Sequence, residues 1–117
     1  MICLDTCIVI DYINGKLDIS NYKKTSLYIN SIVENEVIVG ARNKRDLATI
    51  NKKISGFPIL NIDQDIMDLS TKLLNIYTLS HGMTIYDSII ASVCMIYDLP
   101  LWTHNKKDFK FLDIELI

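Results

Sequence analysis

Short apolar runs that alternate with helix-forming segments are the feature that most constrains the fold of this chain. The runs stand at Met1–Leu4, Ser26–Asn30, Ile59–Ile62 and Leu101–Thr103, with a further one at Phe111–Leu116. Between them, apolar residues recur at helical spacing over Cys7–Ile13, Ser31–Arg42, a basic stretch that ends at Ile54, Asp65–Ser80 and Thr84–Tyr97. This order predicts an α/β domain whose mainly parallel sheet is covered on both faces.

The composition indicates a single domain over residues 1–117, since domains typically run to roughly 100–150 residues. Half of the residues are hydrophobic, and no repeat or linker divides the chain. The net charge of −2 argues against a nucleic-acid coat protein, which needs a strongly basic surface.

We expect a cytoplasmic protein with no membrane association. No apolar run approaches the ~18 residues that span a bilayer, and the first residues lack the basic segment of a signal peptide. The three cysteines, Cys3, Cys7 and Cys94, are an odd number at scattered positions, which favours free thiols in a reducing compartment.

Asp5 directly follows the first apolar run, so we expect it at the carboxyl end of a buried strand. Ligands of open α/β sheets bind outside this edge of the sheet. A residue of this type also terminates strands and caps helices, and for Asp5 alone the two interpretations are equally open.

Glu36 falls on the same side of its predicted helix as Ile32, Val33 and Val37. An ionised carboxylate on an inward-facing stripe is destabilising unless a cation or hydrogen-bond donors compensate it. Either a buried ion pair with Arg42 or a lysine, or a functional site, would supply that compensation.

Asp87 lies in the first turn of the most apolar predicted helix and on its core-facing side, with Ile90, Ala91 and Cys94. An acid at this position stabilises a helix by about 0.3–1 kcal/mol through the helix dipole, with no function required. The three acids together are harder to explain in this way. If they meet at one edge of the sheet they repel each other, and a hard divalent cation is the physical remedy.

Oxygen ligands favour magnesium or manganese over zinc, because no His/Cys set has a suitable spacing. Magnesium typically combines a few carboxylates with waters and substrate phosphate. The residues therefore point to phosphoryl chemistry.

Four blocks of the chain, in order and at ordinary spacing, resemble the signature blocks of PIN domains, and most closely those of VapC-type toxins of bacterial toxin–antitoxin pairs. The blocks are Leu4-Asp5-Thr6-Cys7 with Ile10-Asp11, Glu36-Val37-Ile38-Val39-Gly40-Ala41, Tyr86-Asp87-Ser88-Ile89-Ile90-Ala91-Ser92 and Trp102-Thr103-His104-Asn105-Lys106-Lys107-Asp108-Phe109. The resemblance covers nearly the whole chain.

The resemblance implies a PIN-like three-layer α/β/α sandwich with four to five short strands, and a ribonuclease that depends on Mg²⁺ or Mn²⁺. By motif match the catalytic and metal-binding acids are Asp5, Glu36 and Asp87. The fourth block of the family commonly supplies another acid two residues after its threonine. Here Asn105 stands at that position, and either Asn105 or Asp108 completes the set.

The resemblance also implies three partners: an RNA substrate (tRNA, rRNA or mRNA), a cognate antitoxin protein and a second copy of the chain. Basic residues that could meet the RNA backbone occur in several clusters, at Lys23-Lys24, Arg42 with Lys44 and Arg45, Lys52-Lys53, and Lys106, Lys107 and Lys110. Because the fourth acid is replaced, a second function is kept open. It is a PIN-like module with weak or no catalysis that binds RNA or a protein partner.

Overall fold

Four short strands form one parallel sheet in the computed structural model, which describes residues 1–117. The strands are β1 (Ile2–Leu4), β2 (Leu27–Asn30), β3 (Ile59–Leu60) and β4 (Leu101–Trp102). Their order in the sheet is β3-β2-β1-β4, and every pairing is parallel. The first strand therefore lies inside the sheet, and the residue that follows it emerges between the ends of β2 and β4.

Five α-helices flank the sheet. They are α1 (Thr6–Ile13), α2 (Ser31–Val39), α3 (Lys44–Ile54), α4 (Gln64–His81) and α5 (Ile85–Tyr97), with short 3₁₀ turns at Lys24–Ser26 and Lys106–Asp108. Helices α1, α2 and α3 pack on one another, and α4 packs along α5. This arrangement confirms the predicted α/β/α architecture with a parallel sheet.

Side-chain caps and one glycine set the start of α2 and both ends of α4. The Asn30 side chain accepts a hydrogen bond from the backbone N–H of Val33, and Asp63 does the same for Ile66. Helix α4 ends where Gly82 adopts a left-handed conformation with φ 62°. Such caps satisfy the backbone groups that a helix end leaves without partners.

The predicted strand at Phe111–Leu116 is wrong. Its residues contribute only one isolated bridge, between Leu116 and Leu101. Backbone hydrogen bonds from Leu112 to Phe109 and from Ile114 to Leu112 close tight turns, and a turning backbone cannot align with a neighbouring strand. The helix expected to reach Arg42 also ends earlier, at Val39.

The core is a single cluster of 22 buried hydrophobic residues, contributed by strands, by all five helices and by connecting segments. Helix α5 is buried along its middle, from Ser88 to Cys94, whereas Ile85, Tyr86 and Tyr97 at its ends are exposed. All three cysteines are free, as expected. None of the helices is both long and apolar enough to cross a lipid bilayer.

Candidate active site

Four of the five predicted site residues line one open pocket at the carboxyl edge of the sheet, with a volume of about 280 Å³. We call it the carboxylate pocket. Its lining comprises Asp5, Thr6, Cys7, Ile10, Glu36, Tyr86, Asp87, Ile90 and Asn105. The residue that follows β1, residues of α1, α2 and α5, and one from the segment after β4 thus meet in one place. Parallel strands bring these distant parts of the chain together because their carboxyl ends share one edge.

Asp5 is the most firmly held of the acids, with 7% of its surface exposed. Its Oδ1 accepts a 2.8 Å hydrogen bond from the backbone N–H of Thr6, and its Oδ2 accepts a 2.7 Å bond from the hydroxyl of Thr103. The Thr103 hydroxyl oxygen in turn accepts from the N–H of Asn105 at 3.0 Å. Asp5 therefore caps α1, as one interpretation of the sequence proposed, and the same bonds fix its carboxylate at the pocket.

Glu36 is half-buried on α2, and its Oε1 accepts a hydrogen bond from the Thr6 hydroxyl at 3.0 Å. The alternative of an ion pair with Arg42 or a lysine is wrong. The Arg42 guanidinium lies 3.4 Å from Asp46, one turn away in sequence, and Glu36 forms no salt bridge. A single threonine hydroxyl satisfies one oxygen of Glu36 and leaves its negative charge without a cationic partner.

Asp87 lies in the first turn of α5, where the Thr84 hydroxyl accepts from its backbone N–H. Burial raises the pKa of Asp87 from its ordinary 3.8 to about 6, and the negative charges of Asp108, Asp5 and Glu36 add to the rise. The Thr84 side chain also acts on the carboxyl itself, separately from the backbone bond, and lowers this pKa. The carboxylates are thus close enough to act on one another electrostatically.

Asn105 and Asp108 occupy different places relative to the pocket. Asn105 lines it, whereas Asp108 is exposed in the 3₁₀ turn Lys106–Asp108 and does not. Asp108 nevertheless makes the largest contribution of any charged neighbour to the raised pKa of Asp87. The Asn105 amide at the pocket wall and the Asp108 carboxylate beside the pocket therefore both belong to the surroundings of Asp87.

The carboxylate and amide oxygens of the pocket are of the type that a hard divalent cation prefers, although they do not surround a single point closely. No three His, Cys, Asp or Glu side chains stand close enough together to hold a metal ion as they are placed. Magnesium usually retains several waters and takes only one or two protein carboxylates, which matches spaced acids along an open pocket. Burial chiefly raises the pKa of the Cys7 thiol, so this residue stays protonated and is a poor metal ligand.

Sequence reasoning missed the hydrogen bond between His104 and Asp11, whose Nε2 and Oδ2 atoms lie 2.8 Å apart. It ties the segment that carries Thr103 and Asn105 to helix α1. Asp11 and His104 are 93 positions apart, and nothing in either local pattern signals the contact. His104 is thus engaged with a carboxylate at the rim instead of pointing freely to solvent.

Comparison with known proteins places the chain among relatives of one kind. Residues 2–114 match the model of the PIN domain family. A protein named Ribonuclease VapC from Rickettsia bellii (strain RML369-C) is 32% identical over 118 aligned positions, which cover 92% of this chain and 87% of the relative.

Solved structures agree with the sequence comparison. A toxin–antitoxin complex from Klebsiella pneumoniae contains a chain with a TM-score of 0.82 and 28% identity, and the match covers 100% of this chain and 96% of that one. A DNA-bound VapBC complex from Salmonella typhimurium gives a TM-score of 0.82 at 25% identity, with 100% and 98% covered.

Proposed function

Because this chain belongs to the PIN-domain family and resembles the VapC-type toxin ribonucleases, we propose that it hydrolyses RNA phosphodiester bonds with the help of Mg²⁺ or Mn²⁺. The observation that carries the proposal is the carboxylate pocket. Three acids and an amide from four separate segments line one open pocket, and no lysine or arginine pairs with the acids. Such uncompensated charge favours a divalent cation.

In this proposal Asp5, Glu36 and Asp87 hold the cation, and Asn105 or Asp108 completes the site. When bound, the cation supplies a Lewis acid for the phosphate oxygens and lowers the pKa of a water molecule. The chain itself provides orientation. Two hydrogen bonds fix the Asp5 carboxylate, and the Thr6 hydroxyl orients Glu36.

Asp87 makes the proposed activity depend on pH. Its pKa of about 6 means that the carboxyl is largely protonated in mildly acidic solution and ionised near neutrality. Only the ionised form attracts a cation. Cation binding and cleavage should therefore increase as the pH rises through about 6.

We further propose that this chain is the toxin of a toxin–antitoxin pair, that it forms a homodimer, and that it acts as one domain in the cytoplasm. The similar chains from Klebsiella pneumoniae and Salmonella typhimurium come from a toxin–antitoxin complex and a VapBC complex, which supports an antitoxin partner. Identification of a small antitoxin encoded beside this chain, and its co-purification with it, would test the pairing.

A module that binds RNA or a protein without cutting is the second candidate function. It is favoured by the absence of a three-residue metal cluster in the structure and by Asn105 in place of an acid. Such a module would bind its partner equally well with a cation or with a chelator.

A cleavage assay with matched variants separates the two functions. The purified protein should cut cellular RNA with Mg²⁺ or Mn²⁺ and stop when a chelator is added. The Asp5→Asn and Asp87→Asn variants should lose at least about tenfold in rate, as expected when a metal ligand is removed. Asp65→Asn is the control, because Asp65 is an exposed acid in the first turn of α4. RNA binding without any cleavage would support the binding module instead.

A further inference from the structure

A second cavity, with a volume of about 430 Å³, gathers positive charge. We call it the lysine pocket; its lining consists of Tyr12, Lys24, Thr49, Lys52 and Lys53. No acidic residue lines it, and none of the three lysines forms a salt bridge. In a chain with a net charge of −2, this is a local concentration of uncompensated ammonium groups.

Aromatic rings hold the lysines in place. The Lys24 ammonium lies 4.7 Å from the ring centre of Phe57 and 5.4 Å from that of Tyr12, and the Lys53 ammonium lies 5.6 Å from the Tyr12 ring. Lys24 also donates to the backbone carbonyl of Lys53, which offsets the negative end of the α3 dipole. Lys24 thus has a structural role, and the ammonium groups of Lys52 and Lys53 have no hydrogen-bond partner.

The chemistry of the lysine pocket fits a phosphate group better than a peptide. Apart from the Tyr12 hydroxyl, its free donors are ammonium groups, because the Thr49 hydroxyl already donates to the carbonyl of Arg45. Tyr12 is its only hydrophobic residue, so it offers no seat for the apolar side chains that anchor a peptide. Lysines that neutralise phosphates are a usual means of binding a nucleic-acid backbone.

Helix α1 links the two pockets. Thr6, its first residue, lines the carboxylate pocket, and Tyr12 lines the lysine pocket. They are six positions apart, which corresponds to about 9 Å along the helix axis and about 120° around it. An RNA strand that leaves the carboxylate pocket and curves around α1 would meet the lysines.

We propose that the lysine pocket binds a backbone phosphate of the RNA substrate, away from the bond that is cut. This inference rests on the proposed function, since it takes RNA as the ligand. It predicts that long RNA binds more tightly than a dinucleotide, which reaches only the carboxylate pocket. It assigns Lys53, and Lys52 beside it, to substrate affinity and not to the chemical step.

The test compares Lys53→Met with Lys72→Met. Methionine keeps most of the apolar length of the lysine side chain and removes one charge, and Lys72 is an exposed lysine on α4, outside both pockets. Binding of a labelled long single-stranded RNA is measured by fluorescence anisotropy in chelator, over a range of salt concentrations. Cleavage of the same RNA and of a dinucleotide is then measured with Mg²⁺.

For Lys53→Met we expect affinity for long RNA to fall about fivefold and the salt slope to decrease by about 0.7. KM for long RNA should rise with kcat unchanged, dinucleotide cleavage should be unaffected, and Lys53→Arg should restore binding. Equal slopes for Lys53→Met and Lys72→Met would overturn the proposal. So would unchanged RNA binding combined with weaker binding of a glutamate-rich peptide, which would identify a protein ligand.

Failure of this proposal is distinguishable from failure of the proposed function. If the wild-type protein cleaves RNA and Lys53→Met has no effect on binding, the nuclease proposal stands and the lysine-pocket proposal fails. If the wild-type protein cuts no RNA, but Lys53→Met binds RNA more weakly than wild type, the nuclease proposal fails and the lysine-pocket proposal stands.

Discussion

Replacement of Asp87 by asparagine should stabilise the protein at neutral pH and in the absence of divalent cations. Burial and the neighbouring charges of Asp108, Asp5 and Glu36 raise the pKa of Asp87 from 3.8 to about 6. The folded state therefore binds the proton of Asp87 more tightly than the unfolded chain does. Stability is lost as the pH rises from about 4 to about 6, and above this range the ionised carboxylate destabilises the fold.

The magnitude follows from the size of the shift. A rise of ~2 pKa units corresponds to ~3 kcal/mol, and screening by water at this half-buried group reduces the figure to ~1.5 kcal/mol. Removing the charge also removes a favourable interaction with the N-terminus of α5, worth about 0.3–1 kcal/mol. The Asp87→Asn variant should therefore gain ~1 kcal/mol near pH 7.5, which raises Tm by roughly 4 °C.

The assay is urea and thermal unfolding in chelator at several pH values between about pH 4 and pH 8. The gain should shrink steadily as the pH falls toward 4, where the Asp87 carboxyl is protonated in the folded state and only partly ionised in the unfolded chain. Asp65→Asn, in the first turn of α4, serves as the control and should lose a few tenths of a kcal/mol near neutrality. A difference between Asp87→Asn and wild type that does not change with pH, or a loss of stability near pH 7.5, would refute the reasoning.

Two further predictions concern stability. Thr103→Val removes the buried hydroxyl that donates to Asp5 and accepts from Asn105, so the free energy of unfolding from urea titration should fall by ~2 kcal/mol. Thr103→Ser should recover most of this loss, and equal losses in both variants would contradict the assigned bonds. Gly82→Ala places a side chain at φ 62° with open space around it, so conformational strain alone should reduce stability by about 1 kcal/mol in thermal unfolding. Gly82→Asn should lose less, and an unchanged Tm in Gly82→Ala would show that the left-handed turn is not needed.

The fold could be predicted from the sequence where local chemistry determines it. Asn30, Asp63 and Gly82 mark helix ends because a cap depends on a few neighbouring residues. The segment Phe111–Leu116 has the apolar composition of a strand, yet its backbone turns. Whether a short apolar segment pairs or turns depends on the neighbours that the tertiary structure provides, and composition alone does not show them.

The site could be predicted in part for a similar reason. Asp5 directly follows a strand, so the rule for parallel sheets places it at the expected edge. Asp87 follows no strand, and only its position on the core-facing side of the first turn of α5 indicated the pocket that both acids line. The partner of Glu36 could not be predicted, because the Thr6 hydroxyl that reaches it is 30 positions away. The lysine pocket also joins residues that are far apart in the chain, such as Lys24 and Lys53. Its lysines therefore appeared in the sequence only as two separate basic clusters.

Calorimetric titration with Mn²⁺ tests most directly whether the carboxylate pocket is a cation site. We expect wild-type protein to bind Mn²⁺, this binding to strengthen as the pH rises through about 6, and the Asp65→Asn variant to bind Mn²⁺ as tightly as wild type. Asp5→Asn and Asp87→Asn should each weaken binding at least about tenfold. Wild-type protein that binds no Mn²⁺ near pH 7.5, or equal affinity in all four proteins, would contradict a cation site in this pocket.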